Sequence, residues 1–233
     1  NFSGSIQSNI SPNTTAGFSI VSYTGTGSAA TVGHGLSSTP ELIITKRRSS
    51  SQQWFTYTTT TGSGKAIFLD STSAESNQAS AYNSNPTSTV INYGTDVAVN
   101  GSSDTYIAYC FHSVKGYSKI GSYTGNGNAN GTFIYTGFKP AMVILKRATG
   151  GTGSWRIYDN KRDPFNVCDA RLLPDASNAE STEELFDLCS NGFKLRRNDS
   201  AVNASGDTYI YMAFAENPFV ANDSGTAVPV VAR

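Results

Sequence analysis

The sequence predicts an all-β protein built from two tandem antiparallel β-sandwich modules related by internal duplication. Three observations predict it: a repeat spaced by about 100 residues, apolar runs of strand length, and a polar complement of Ser, Thr, Asn and Gly in place of charge.

The repeat comes first, because it defines the domains. The stretch Gly17-Phe18-Ser19-Ile20-Val21-Ser22-Tyr23-Thr24-Gly25 returns as Gly116-Tyr117-Ser118-Lys119-Ile120-Gly121-Ser122-Tyr123-Thr124-Gly125, with one residue inserted. At an offset of 100, Pro40-Glu41-Leu42-Ile43-Ile44-Thr45-Lys46-Arg47 meets Pro140-Ala141-Met142-Val143-Ile144-Leu145-Lys146-Arg147. Trp54 and Tyr57 meet Trp155 and Tyr158 at 101, and Asp104-Thr105-Tyr106-Ile107 meets Asp207-Thr208-Tyr209-Ile210 at 103. So small a drift leaves room for few insertions. The modules span residues 17–115 and 116–220, with 1–16 read as an arm or linker and 221–233 as a tail.

Within the first module, period-two or short apolar runs predict strands over 18–23, 41–46, 54–58, 66–69, 90–93 and 105–111. Both faces of 106–111 and 209–214 are largely apolar, which suits a central strand covered on both sides. Five or six strands per module give a sandwich, lectin-like or jelly-roll-like in character. One segment, 180–188, has helical character and predicts a turn or two of helix.

Composition bounds the function. Charged residues are 15% of the chain, and 17 basic residues balance 17 acidic ones. That balance supplies no field to gather nucleic acid or an anionic membrane. The apolar runs are too short to span a bilayer, which needs about 18 residues, and the start, Asn1-Phe2-Ser3-Gly4, has no leader pattern, so a soluble fragment or processed chain is expected. Eight Asn-x-Ser/Thr sequons follow from the Asn, Ser and Thr content itself.

The chemistry-bearing residues point away from catalysis and from metal or cofactor binding. Cys110, Cys168 and Cys189 cannot all pair within one chain and lack metal spacing. Cys110 aligns with Ala213, as a small core filler would. His34, in Gly33-His34-Gly35, reads as a turn or surface residue without a counterpart in the second module, and neither it nor His112 belongs to a triad pattern. Thr61-Gly62-Ser63-Gly64-Lys65-Ala66 lacks the first Gly and the Ser/Thr of a phosphate loop and reads as a hairpin loop. No carboxylate pair recurs between the modules, and Asp104 and Asp207 read as turn residues ahead of a strand. What does recur is basic and aromatic: Lys46, Arg47, Arg48, Trp54 and Tyr57, echoed by Lys146, Arg147, Trp155, Arg156 and Tyr158. Such a set can contact a sugar or a partner chain. It can equally place the tryptophans in the cores and set each Lys-Arg pair against an acidic loop.

Taken together, Ala16 through Gly25, Val32-Gly33-His34-Gly35-Leu36, Pro40 through Arg48, Trp54-x-x-Tyr57 and Asp207 through Phe219 resemble a repeat domain of unassigned activity found in structural proteins of bacteriophages, notably those of marine bacteria and cyanobacteria. The resemblance implies a non-enzymatic virion protein, assembled in the host cytoplasm and displayed on the particle as a tail fibre or as a capsid fibre or decoration. It implies other virion proteins as partners, a homotrimer as a plausible assembly and a role in host attachment or particle stabilisation. The alternatives are a carbohydrate-binding module that reads a host surface glycan and, further off, a glycan-degrading enzyme.

Overall fold

The computed structural model describes residues 1–217. These residues are all-β apart from two single-turn helices, and the chain divides into two compact units. Unit 1 comprises Asn1–Asp70 and Glu75–His112; unit 2 comprises Ser71–Ala74 and the chain from Ser113 onward. The boundary falls three residues ahead of the one read from the repeat, and the first half of the sequence lends unit 2 one tetrapeptide. The expected tail, 221–233, lies outside the described residues.

Unit 1 holds β1 (Ser8–Asn13), β2 (Phe18–Thr24), β3 (Ala30–Gly33), β4 (Leu42–Arg47), β5 (Phe55–Thr58), β6 (Lys65–Phe68), β7 (Ser76–Asn77), β8 (Val90–Tyr93), α1 (Val97–Asn100) and β9 (Thr105–Phe111). Seven strands form one antiparallel sheet in the order β1-β2-β9-β4-β5-β6-β7, and β3 pairs with β8 in a second. Alternation builds the core. Val21 and Tyr23 of β2, Ile43 of β4 and Tyr106, Ala108 and Cys110 of β9 face Val32, Ile91 and Tyr93 of the smaller sheet. The β9 run lies between β2 and β4, the central place its two apolar faces predict.

Unit 2 holds β10 (Ser118–Thr124), β11 (Phe133–Tyr135), β12 (Pro140–Arg147), β13 (Arg156–Asp159), β14 (Cys168–Arg171), β15 (Ser181–Cys189), β16 (Gly192–Leu195), α2 (Ser200–Asn203) and β17 (Thr208–Ala215). One sheet runs β10-β17-β12-β13 and the other β11-β16-β15-β14. Val143, Leu145, Tyr158, Tyr209 and Ala213 of the first pack with Ile134, Phe186, Leu188 and Phe193 of the second.

Three expectations are corrected. Residues 1–16 are not a linker: β1 pairs with β2 from Ser8↔Tyr23 to Asn13↔Phe18, and Ile6 and Ser8 are buried. Their short polar pattern hides the pairing, because β1 lies at the sheet edge and keeps most of its side chains in solvent. Segment 180–188 is strand rather than helix. Its Phe186 and Leu188 are buried on either side of a half-exposed Asp187, a spacing of two, and Phe186 through Cys189 pair with β16. Glutamates of this segment meet arginines of other segments, Glu183 with Arg171 and Glu180 with Arg162. His34, finally, is fully buried. Its Nδ1 accepts from Leu36 N–H at 3.1 Å, and its Nε2 meets Thr87 O at 3.2 Å.

Candidate functional site

The sequence motifs that recur converge on one corner in each unit. In unit 1, Asp96 caps α1 by accepting from Ala98 N–H at 2.9 Å. Asn100, the last residue of that turn, is buried. It accepts from Thr26 N–H at 2.9 Å and donates to Ser28 O at 2.6 Å and Gly94 O at 2.8 Å. The hydroxyl of Tyr106 donates to Val97 O at 2.6 Å and accepts from Gly101 N–H at 2.7 Å, while Tyr23 donates to Val99 O at 2.6 Å. Arg47 closes the corner on Asp104 at 2.7 Å. The Ser49 hydroxyl and then Arg47 hold the Asp104 carboxyl below its ordinary value.

Unit 2 has the same arrangement. Asp199 accepts from Ala201 N–H at 2.7 Å, and Asn203 accepts from Asn126 N–H at 2.9 Å and donates to Asn128 O at 2.8 Å and Arg197 O at 2.9 Å. Tyr209 donates to Ser200 O at 2.6 Å and accepts from Ala204 N–H at 2.9 Å; Tyr123 donates to Val202 O at 2.8 Å. Arg147 Nε meets Asp207 at 2.8 Å. Burial raises the phenols of Tyr23 and Tyr123 well above their ordinary value, so both hydroxyls stay protonated donors. A corner so closed holds strands together and leaves these groups little capacity for a ligand.

The remaining basic and aromatic candidates separate by unit. Lys46 bonds Gln52 O and stands 5.6 Å from the centroid of half-buried Trp54, whose ring stacks on Tyr109 at 6.5 Å. Tyr57 is buried, with its phenol pushed up to about 12 by burial and its hydroxyl 3.2 Å from Asn85 Oδ1. Arg48 is exposed. It lines a groove of about 570 Å³ together with Gln7, Asn9, Thr24, Thr26 and Thr105. In unit 2, Lys146, Trp155, Arg156 and Tyr158 are all buried. Lys146 Nζ donates to the carbonyls of Thr72, Ser73, Arg147 and Gly153 at 2.8 to 3.1 Å, and burial brings its pKa down to about 8. Arg156 stands 3.9 Å from Glu183, and Tyr158 packs edge-on against Phe186 at 4.4 Å. The two echoed sets therefore do not form matching contact surfaces: unit 1 leaves Arg48, and in part Lys46 and Trp54, open to solvent, whereas unit 2 takes its members inside.

A second concavity escaped the sequence reading. A cleft of about 360 Å³ in unit 2 is lined by Lys115, Lys119, Tyr135, Thr136 and Gly137 among others. Its signal in the sequence is a mismatch between the copies, Lys119 where the first has Ser19.

The other chemistry is quiet. The three cysteines are free thiols; Cys110 and Cys168 are buried, and burial pushes the Cys168 thiol up to about 12. Thr61 through Gly64 lie in the loop that connects the antiparallel pair β5 and β6, as expected of a hairpin, while Lys65 and Ala66 already belong to β6. Among the described residues no His, Cys, Asp and Glu group could hold a metal ion, and no helix is long and apolar enough to cross a membrane.

Fold and site together define a class of all-β protein whose recurrent polar residues tie its own strands together. The family model described as "Domain of unknown function (DUF7483)" matches residues 1–218, and the chain belongs to that family. Comparison with the curated proteins and with the solved structures gave no match.

Proposed function

We propose that the chain is a non-enzymatic structural protein of a bacteriophage, displayed on the particle surface as a tail fibre or as a capsid fibre or decoration. One observation carries this reading beyond the resemblance. In both units the Arg of the Lys-Arg pair, the Tyr of the Asp-Thr-Tyr-Ile strand and the Asn at the end of the helical turn are used up on backbone and carboxylate partners of the same corner. Recurrent residues spent this way suit a module selected for rigidity. The matching corners also support descent of the two units from a duplication. Other virion chains are the partners of this reading, with self-association as a trimer, and host attachment or particle stabilisation is the role. Gold-labelled antibody against the chain, applied to intact purified particles, tests it. Label on the particle exterior is the expected result; chain that stays in the lysate and never sediments with particles overturns it.

A further inference from the structure

The two units differ at one edge. In unit 1, β1 lies along β2 and fills the mouth between the sheets: a Cβ on Gly35 would stand 2.5 Å from Ile10 Cδ1 and 3.4 Å from Pro12 Cγ. Ser19, behind that cover, is fully buried and donates to His34 O at 2.6 Å. In unit 2, β10 is the end strand of its sheet. Lys119 takes the register place of Ser19, opposite Ala213 as Ser19 is opposite Cys110. Gly137 repeats the positive φ of Gly35, 85° against 73°. The mouth that β1 plugs in unit 1 is thus open in unit 2, as the 360 Å³ cleft between β10 and the residues that follow β11.

Three features say what fits there. The edge does not await a strand: Ile120 N–H donates to Ser113 Oγ at 2.9 Å and Ser118 N–H to Val114 O at 2.9 Å, so a compact ligand suits it better than an extended peptide. The charge is one-sided. Lys115 and Lys119 have no ion-pair partner among the described residues, and no Asp or Glu is among the lining residues, whereas Lys139, Arg147, Arg162 and Arg171 of the same unit each meet a carboxylate. The same cleft is lined by Tyr135, 66% exposed, an aromatic ring offered to solvent. Ammonium groups recognise carboxylate or sulfate, and an exposed ring stacks on the C–H face of a sugar. The volume lies at the lower end of the range of ligand sites, roughly 300 to 1,000 Å³.

We propose that this cleft binds an acidic sugar, a pyranose ring carrying a carboxylate or a sulfate. The site stands apart from the virion reading: a chain that binds such a sugar but is absent from particles keeps it, and a virion chain that binds none loses it. Titration calorimetry of the intact chain with trigalacturonate, with a sulfated chondroitin disaccharide and with neutral maltotriose is the test. At least one acidic probe binds, and maltotriose binds at least about tenfold more weakly. The Lys115→Ala/Lys119→Ala double variant loses the acidic preference, and Tyr135→Ala weakens binding, both with an unchanged unfolding midpoint because the replaced side chains are not core. Failure of both acidic sugars to bind, equal binding of maltotriose, an unaltered double variant, or tighter binding of hexaglutamate than of either acidic sugar overturns the proposal.

Discussion

Asn100 and Asn203 show how a single side chain stands in for missing secondary structure. Each lies buried at the end of a four-residue helix and ties together backbone groups from separate loops, groups that would otherwise be unpaired in the interior. Asn203→Ala and Asn100→Ala are each expected to cost about 2–4 kcal/mol, read as a lowered denaturation midpoint. Lys146→Met, which leaves four carbonyls without their donor, should cost a similar amount, about 2–4 kcal/mol. His34 supplies a pH dependence. Burial holds its pKa below the ordinary value, so the unfolded chain takes up the proton first as the pH falls. Its contribution is complete above about pH 6.5 and is lost as the pH falls through the lower folded value. Denaturant titrations between neutral and mildly acidic pH should show falling stability, with a shallower slope for His34→Gln. Sequence comparison made His34 and Cys110 unlikely catalysts, yet burial of His34 was not legible, because flanking glycines mark a turn without saying whether it faces inward. The Arg47–Asp104 and Arg147–Asp207 pairs were half legible: both partners recur, and only the fold brings the two ends of β4 and β9, or of β12 and β17, side by side.

Strands with strict alternation or β-branched runs were the most legible elements. β2, β8 and β9 stand within a residue of the ranges the pattern predicts, and β4, β5 and β6 are displaced by a residue at one or both ends. β1 and β15 were misread for opposite reasons. Ser8–Asn13 is polar because an edge strand keeps one side in water, so nothing in its periodicity betrays its pairing. Ser181–Cys189 carries acids at spacings that a helix would also accept, and only the burial of Phe186 and Leu188 across Asp187 separates the two periods. If β1 is integral, deleting residues 1–13 uncovers the edge of β2 and the mouth beside Gly35. The shortened chain should then melt at a lower temperature and associate at concentrations where the intact chain does not. An unchanged melting curve would return residues 1–16 to the status of a linker.

On the scale of the molecule, the repeat in the sequence and the two compact units agree on where the chain divides to within three residues, apart from the Ser71–Ala74 excursion. That excursion was invisible in the sequence, because it depends on the buried ammonium of Lys146 and on Gly153 N–H, which donates to Thr72 O at 2.8 Å. Function was less legible than fold. Shared residues drew attention to Trp54 and Trp155, and sharing in this chain marks structural ties, whereas the open cleft sits where the copies differ. The chain's 17 basic and 17 acidic residues balance, which describes a surface that attracts no bulk counterion and depends on shape and local contacts. The central claim, that the chain is a non-enzymatic structural component of a phage particle, meets its most direct test in a reconstruction of intact particles at a resolution that separates β-sheets. Two all-β units of this chain, at symmetry-related positions on the outer surface, are the predicted result. A complete particle with no density for them would contradict the account.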